Sequence, residues 1–135
     1  PGSNSAYPYQ LTVVGSTLYF NADDGTGERE LWKSDGTSAG TVMVKDIYNC
    51  YSCNPLLAYH PGNLTVIGNT LYFQADDGAW FGAQLWKTDG TSAGTVMLRS
   101  PGITPQELTA IGTILYFTNH DPIYGRELWW FDTTA

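Results

Sequence analysis

Near-copies of one phrase within the chain constrain its fold more than any other feature. The stretch ELWKSDGTSAGTVMVKDI runs from Glu30 to Ile47, QLWKTDGTSAGTVMLRS runs from Gln84 to Ser100, and ELWWFD begins the phrase again at Glu127. Repeat units of this kind cannot each bury their apolar surface alone, so they stack on one another. We therefore expect similar units that pack side by side.

The segments before these phrases align as well, and they give the repeat period. LTVVGSTLYFNADDG starts at Leu11, LTVIGNTLYFQADDG at Leu64 and LTAIGTILYFTNHD at Leu108, so the repeats begin 53 and then 44 residues apart. Strand-rich repeats of this length are typical of β-propeller blades. A single repeat domain is expected, with blade 1 at about 11–47, an inserted loop at 48–63, blade 2 at about 64–100 and blade 3 at about 108–135.

Each repeat consists of short strand-like runs separated by turn residues. In the first repeat these runs are LTVV, TLYFNA, RELWKS and VMVKDI. Val, Thr, Tyr, Phe and Trp dominate them, which favours strands over helices. The third repeat stops after its third run. The sequence therefore predicts an all-β fold, a partial β-propeller of three four-stranded antiparallel blades in which the third blade lacks its last strand.

Both faces of the predicted strands are apolar. Successive side chains of a strand point to opposite faces, so Leu18 and Phe20 lie on one face while Tyr19 lies on the other. In the same way Leu31 opposes Trp32. A sheet with one solvated face would carry polar residues at alternate positions, so we expect packing on both sides of each sheet.

The phrase at Glu30–Thr41, ELWKSDGTSAGT, resembles the ELWxxDGTxxGT repeat of large secreted bacterial proteins, some of them described as hyalin-like. The resemblance covers nearly the whole chain. It implies a β-propeller and an extracellular or cell-surface location, and it implies no particular activity.

Charge and motif content exclude several functions. The net charge is −7 and the six Lys and Arg residues are dispersed, so no basic patch is available to neutralise nucleic-acid phosphates. No apolar run approaches the roughly 20 residues of a membrane-spanning helix, so membrane insertion is not expected. Neither an HExxH motif nor a phosphate-binding Walker pattern occurs, and we expect no enzymatic activity.

Paired aspartates in equivalent turns are the candidate metal ligands. Asp23 and Asp24 precede a glycine in the first repeat, and Asp76 and Asp77 do so in the second. Clustered carboxylates can bind Ca²⁺, which takes roughly six to eight oxygen ligands. Asp-Gly is also ordinary turn chemistry, because the Asp side chain accepts hydrogen bonds from the turn's own backbone. The turn interpretation is favoured, and calcium is kept as the alternative.

Two cysteines, Cys50 and Cys53, lie in the residues that lengthen the first period. A redox-active C-x-x-C normally opens a helix, and a zinc site needs four ligands, and neither pattern is seen. We predict a local disulfide, which indicates an oxidising, extracellular compartment.

Aromatic side chains near the ends and in one set of turns are the candidate contacts with a partner. The expected interface or ligand residues are Tyr7, Tyr9, Trp80, Phe81, Tyr124, Trp129 and Trp130. They could pack against another subunit, stack on sugar rings or cover an edge of their own blade.

Three blades do not close a propeller, which has about four to eight. The chain is therefore expected either to be a piece of a longer propeller or to associate with itself. In the second case Ser5–Gln10 of the N-terminal segment 1–10 would supply the strand that blade 3 of another subunit lacks, or whole blades would complement one another, in a closed oligomer or a filament. The predicted function is an extracellular structural protein whose partner is itself. The alternative is a lectin-like module that binds glycans through the turn aspartates and Trp80 and Phe81.

Overall fold

A computed structural model describes residues 5–49, 60–79, 82–98 and 104–134. The described residues form eleven strands and no helix, which confirms the all-β prediction. In this part of the chain no helix is long and apolar enough to cross a membrane.

The strands fall into three groups that follow the repeats. Their bounds are β1 (Tyr9–Val14), β2 (Thr17–Asp23), β3 (Arg29–Ser34), β4 (Val42–Lys45), β5 (Gly62–Ile67), β6 (Thr70–Ala75), β7 (Gln84–Thr88), β8 (Val96–Met97), β9 (Gln106–Ile111), β10 (Ile114–Asp121) and β11 (Gly125–Asp132).

Each group is one antiparallel sheet. Sheet 1 has the order β1-β2-β3-β4, sheet 2 has β5-β6-β7-β8, and sheet 3 has β9-β10-β11 within the described residues. None of the sheets closes into a barrel. The cross-strand register is the same in all three, since Phe20 lies opposite Trp32, Phe73 opposite Trp86, and Phe117 opposite Trp129.

A bulge at the start of each sheet is also repeated. The residue just before the Leu-Thr pair has a positive φ in every repeat: 58° at Gln10, 54° at Asn63 and 54° at Glu107. In each sheet the pairing of the first two strands shifts next to this residue. An extra residue in one strand bends and twists it, so the three sheets share one curvature.

Sheet 2 lies between sheets 1 and 3. One core joins the first two sheets and contains Leu31, Leu71, Phe73 and Trp86. A second core joins sheets 2 and 3 around Tyr72, Leu85, Leu115 and Phe117. The first strands of the sheets are neighbours, with β1 beside β5 and β5 beside β9. Sheet 2 therefore packs on both of its faces.

The N-terminal segment runs along its own sheet. Tyr9 and Gln10 begin β1, and the backbone N–H of Asp23 in β2 donates to the carbonyl of Ala6 at 2.9 Å. Within this chain the segment is therefore a neighbour of β2. Donation of Ser5–Gln10 to sheet 3 of another subunit stays a prediction.

Candidate functional site

Every sheet has two distinct faces, which we name by one residue of the third strand. The tryptophan face carries Trp32 in sheet 1, Trp86 in sheet 2 and Trp129 in sheet 3, with a Phe opposite each one. The leucine face carries Leu31, Leu85 and Leu128 at the preceding position, and Tyr19, Tyr72 and Tyr116 of the second strands share it.

The sheets meet in one constant order. Leu31 on the leucine face of sheet 1 shares a core with Trp86 on the tryptophan face of sheet 2. Leu85 on the leucine face of sheet 2 shares a core with Phe117 on the tryptophan face of sheet 3. The same kind of seam, leucine face against tryptophan face, is thus formed twice.

Polar contacts fix the seam between sheets 1 and 2. The Lys33 ammonium donates to the carbonyl of Gly90 at 2.7 Å, and the Lys45 ammonium donates to the carbonyl of Thr95 at 3.0 Å. Lys45 also lies 5.9 Å from the centre of the Trp86 ring. The two lysines therefore hold the β7–β8 turn of sheet 2 against sheet 1.

A tyrosine marks the same point of both seams. A Cβ placed on Gly90 would lie 2.5 Å from the Tyr19 hydroxyl, so this hydroxyl sits directly on the β7–β8 turn. At the next seam the Tyr72 hydroxyl hydrogen-bonds Thr133, which has the place of Gly90 in the third repeat. Burial raises the pKa of both tyrosines.

The leucine face of sheet 3 is open in the described part of the chain. Leu31 and Leu85 are both 0% exposed, whereas Leu128 at the same position is 69% exposed. Ile111 and Trp130, on the same face, are exposed as well. This face therefore presents an apolar surface that its counterparts bury.

Among the described residues, the tryptophan face of sheet 1 is the complementary open surface. Leu11 and Val13 are each 63% exposed, while Leu64 and Val66 at the same positions of sheet 2 pack against the core beside sheet 1. Phe20 is half-buried, but Phe73 is fully buried at that position.

No family model matches the chain, and no curated protein matches it. The two open faces and a polar cavity on sheet 3 are the features of the described residues that bear on function.

A polar cavity of about 340 Å³ lies at one end of the open leucine face. Thr104, Gln106, Thr118, His120 and Arg126 line it. The Arg126 guanidinium donates to the side-chain oxygen of Gln106 at 3.1 Å and lies 3.9 Å from the exposed carboxylate of Glu107.

The predicted calcium ligands bind the backbone of their own turns. Asp23 accepts hydrogen bonds from the N–H groups of Gly25 and Gly27, and Asp76 accepts one from Gly78. Asp24 accepts a hydrogen bond from the N–H of Thr26, and Asp77 accepts one from the N–H of Ala79. Within the described ranges no three His, Cys, Asp or Glu side chains are grouped to hold a metal ion. Calcium binding stays a prediction.

The other turn aspartates act alike. Asp35, Asp89 and Asp132 each accept from the hydroxyl and the N–H of the threonine two residues on. These hydrogen bonds lower the pKa of all three carboxyls. The third repeat therefore begins the same turn that leads to the fourth strand in sheets 1 and 2.

The structure distributes the predicted contact residues over separate places. Tyr7 and Tyr9 are exposed at the start of sheet 1, with the Arg29 guanidinium 5.3 Å from the Tyr9 ring centre. Tyr124 is exposed in the β10–β11 turn, and Trp130 lies on the open leucine face. Trp129 points inward, 6.5 Å from Phe117 between ring centres. Trp80, Phe81, Cys50 and Cys53 lie outside the described residues.

Sequence reasoning missed the residues that define the open faces, notably Leu11, Val13 and Leu128. The signal was present in the repeats. Each of the three has counterparts at the same repeat position, and among the described residues sheet 1 on one side and sheet 3 on the other have no further neighbouring sheet. Strand alternation then assigns each to a face.

Proposed function

We propose that the protein is an extracellular structural component that assembles with itself. In this proposal it is a partial β-propeller whose sheets are blades. The open leucine face of sheet 3 packs against the open tryptophan face of sheet 1 of a second copy.

One observation carries the proposal: Leu128 is 69% exposed, although Leu31 and Leu85 at its position are 0% exposed against tryptophan faces. A second copy of the chain supplies the tryptophan face that sheet 3 lacks. The contact repeats an arrangement that the chain already forms twice, so it needs no new kind of packing.

Such a contact is heterologous, because it joins two different surfaces. A heterologous contact generates a ring when the rotation between copies closes and a filament when it does not. The proposal therefore includes both a closed oligomer and a polymer. The extracellular location is supported by the resemblance to secreted repeat proteins and by the disulfide predicted for Cys50 and Cys53.

The exposed apolar side chains supply part of the free energy that association needs. Full burial of a large apolar side chain contributes about 1.5–3 kcal/mol, so the remaining burial of five such residues gives roughly 5–10 kcal/mol. Those five are Leu11, Val13, Ile111, Leu128 and Trp130. Association itself costs about 4–15 kcal/mol, so binding at micromolar concentrations also needs the polar contacts of the seam.

Analytical ultracentrifugation tests the proposal. The unaltered chain is expected to sediment as multiples of its 14.8 kDa mass, whereas Leu128→Glu and Val13→Glu sediment as single chains. Asn69→Glu is the control, since Asn69 is exposed in the β5–β6 turn of sheet 2, away from both open faces, and it should assemble normally. A compact single chain at high concentration would overturn the proposal, and so would unchanged assembly of the two face variants.

A second candidate, a lectin-like glycan-binding module, is supported by the β10–β11 turn. Asp121 accepts hydrogen bonds from the N–H groups of Ile123 and Tyr124, which fixes a turn that exposes the Tyr124 ring. Aromatic rings held in this way stack on sugars. A glycan array with the unaltered chain and with Tyr124→Ala, each with and without Ca²⁺, tests this candidate. Binding that Tyr124→Ala abolishes would support it, and no binding would reject it.

A further inference from the structure

A proline stands three residues before the Leu of each repeat, at Pro8, Pro61 and Pro105. At the seam between sheets 1 and 2, the side-chain amide of Asn21 donates to the carbonyl of Pro61. The neighbouring His60 side chain is hydrogen-bonded to the backbone of Arg29. His60 and Pro61 are thus inserted at one end of the leucine face of sheet 1.

The second seam uses the same dipeptide position. Pro105 is fully buried, and Thr104 lies so close to the β6–β7 turn that a Cβ on Gly82 would come within 2.8 Å of its hydroxyl. Thr104 and Pro105 therefore occupy the end of sheet 2 that His60 and Pro61 occupy on sheet 1.

The polar cavity of sheet 3 is the third such place. Thr118 stands at the repeat position of Asn21, and Arg126 stands at that of Arg29. The corresponding dipeptide at the other end of the chain is Tyr7-Pro8, and both residues are exposed, Tyr7 by 64%. Within the described residues, the cavity of sheet 3 therefore holds no such dipeptide, and the Tyr7-Pro8 dipeptide packs at the end of no sheet.

We propose that the cavity lined by Thr118 and Arg126 receives Tyr7 and Pro8 of a second copy of this chain. This inference rests on the proposed self-association and names the segment that fixes its register. In the single chain the Thr118 hydroxyl lies 3.4 Å from the Gln106 carbonyl and 3.3 Å from the Glu107 carboxylate. In the pair it exchanges these long contacts for the carbonyl of Pro8, and so takes the place of the Asn21 amide. The Tyr7 hydroxyl takes the place of the His60 imidazole beside the backbone of Arg126.

Cysteine cross-linking tests this contact directly. In a background with Cys50→Ser and Cys53→Ser, a Tyr7→Cys chain is mixed with an Arg126→Cys chain under mild oxidation. We expect a disulfide-linked pair that contains one chain of each kind. The control pair is Asn69→Cys with Arg126→Cys, because Asn69 is exposed in the β5–β6 turn, away from both open faces.

A second measurement does not depend on disulfide geometry. The double variant Tyr7→Ala, Pro8→Gly should weaken assembly at least tenfold while the melting temperature of the single chain stays unchanged, since both residues are exposed. If assembly persists at its original affinity and still requires Leu128, and if Tyr7→Cys cross-links no better than Asn69→Cys, this inference is wrong and the proposed function stands. If the unaltered chain does not assemble, both are wrong.

Discussion

Leu85 of β7 and Leu128 of β11 hold the same position in successive repeats, yet Leu85 is buried between two sheets and Leu128 faces outward. Their local structures agree, because β6 pairs with β7 in the register in which β10 pairs with β11. The difference between them lies only in whether a tryptophan face stands opposite. This internal comparison supplies matched controls for most of the predictions below.

Truncation of equivalent leucines should have very different effects on stability. Leu31→Ala removes a fully buried side chain and should lower the free energy of unfolding by about 2–5 kcal/mol. Leu128→Ala should change it by no more than about 0.5 kcal/mol in the single chain, because that side chain is exposed. Urea denaturation at a protein concentration below assembly checks both values. Equal losses would contradict the buried position of Leu31.

Two glycines with nearly the same φ angle allow the cost of backbone strain to be measured apart from the cost of a side-chain clash. Gly36 has φ 94° and Gly90 has φ 93°, so an alanine is strained equally at either. Only at Gly90 would the new Cβ meet the Tyr19 hydroxyl. Gly90→Ala should therefore be less stable than Gly36→Ala by about 1–2 kcal/mol.

The same pair of glycine variants also reports on assembly. If Tyr116 of one copy lies on the β3–β4 turn of the next, as Tyr19 lies on Gly90, then Gly36→Ala should weaken association while it costs the single chain only the backbone strain. Thermal melts and sedimentation of both variants check the two effects. Equal stability of Gly36→Ala and Gly90→Ala would contradict the Tyr19 contact.

A buried carboxyl makes the stability depend on pH. Burial raises the pKa of Glu30 to about 7 from an ordinary value of 4.5, and the negative charges of Asp46 and Glu28 add to the rise. The N–H groups of Tyr48 and Ile47 donate to the carboxylate and oppose the rise. The folded chain therefore holds more protons than the unfolded chain between these two values. Stability from this group is greatest below about pH 4.5 and falls as the pH rises to about 7.

Glu30→Gln should remove this dependence, since glutamine does not titrate and Gln84 stands at the same position of sheet 2, also buried. The free energy of unfolding, measured by denaturation from pH 4.5 to 8, should fall by at most about 3 kcal/mol in the unaltered chain. It should fall by less in the variant. An equal slope in both proteins would show that Glu30 titrates normally.

Equivalent threonines offer a further matched test. The Thr95 hydroxyl is buried, donates to the carbonyl of Thr91 at 2.6 Å and lies 2.7 Å from the Thr88 hydroxyl. Thr41 makes the same contacts in an exposed turn. Thr95→Val should cost about 1–3 kcal/mol because it leaves buried polar atoms unpaired, and Thr41→Val should cost less than about 1 kcal/mol. Chemical denaturation measures the free energy of unfolding of both variants. A larger loss for Thr41→Val than for Thr95→Val would contradict the different burial of the two hydroxyls.

Much of the fold followed from the sequence, because repetition and alternation are local signals. The third strand of the first repeat was predicted as RELWKS and is observed as Arg29–Ser34. The first strand was predicted to start at Leu11 and starts at Tyr9, because the bulge at Gln10 extends the pairing beyond the Leu-Thr pair.

The contacts between sheets could not be predicted in the same way. Alternation shows that Leu31 and Trp32 face opposite sides, but it does not say which side meets the next sheet. The hydrogen bond from the Lys33 ammonium to the Gly90 carbonyl depends on how two sheets stack, and so does the burial of Glu30. The predicted roles of Trp80, Phe81 and the two cysteines remain predictions.

Mixing two variants, each with one damaged face, tests the central claim most directly. Leu128→Glu retains the tryptophan face of sheet 1, and Val13→Glu retains the leucine face of sheet 3. Native mass spectrometry should find single chains for each variant alone and a pair with one chain of each kind in the mixture, since one intact seam remains and growth stops there. Pairs formed by two copies of the same variant would contradict the packing of sheet 3 on sheet 1. So would a mixture that contains only single chains, provided that the unaltered chain assembles.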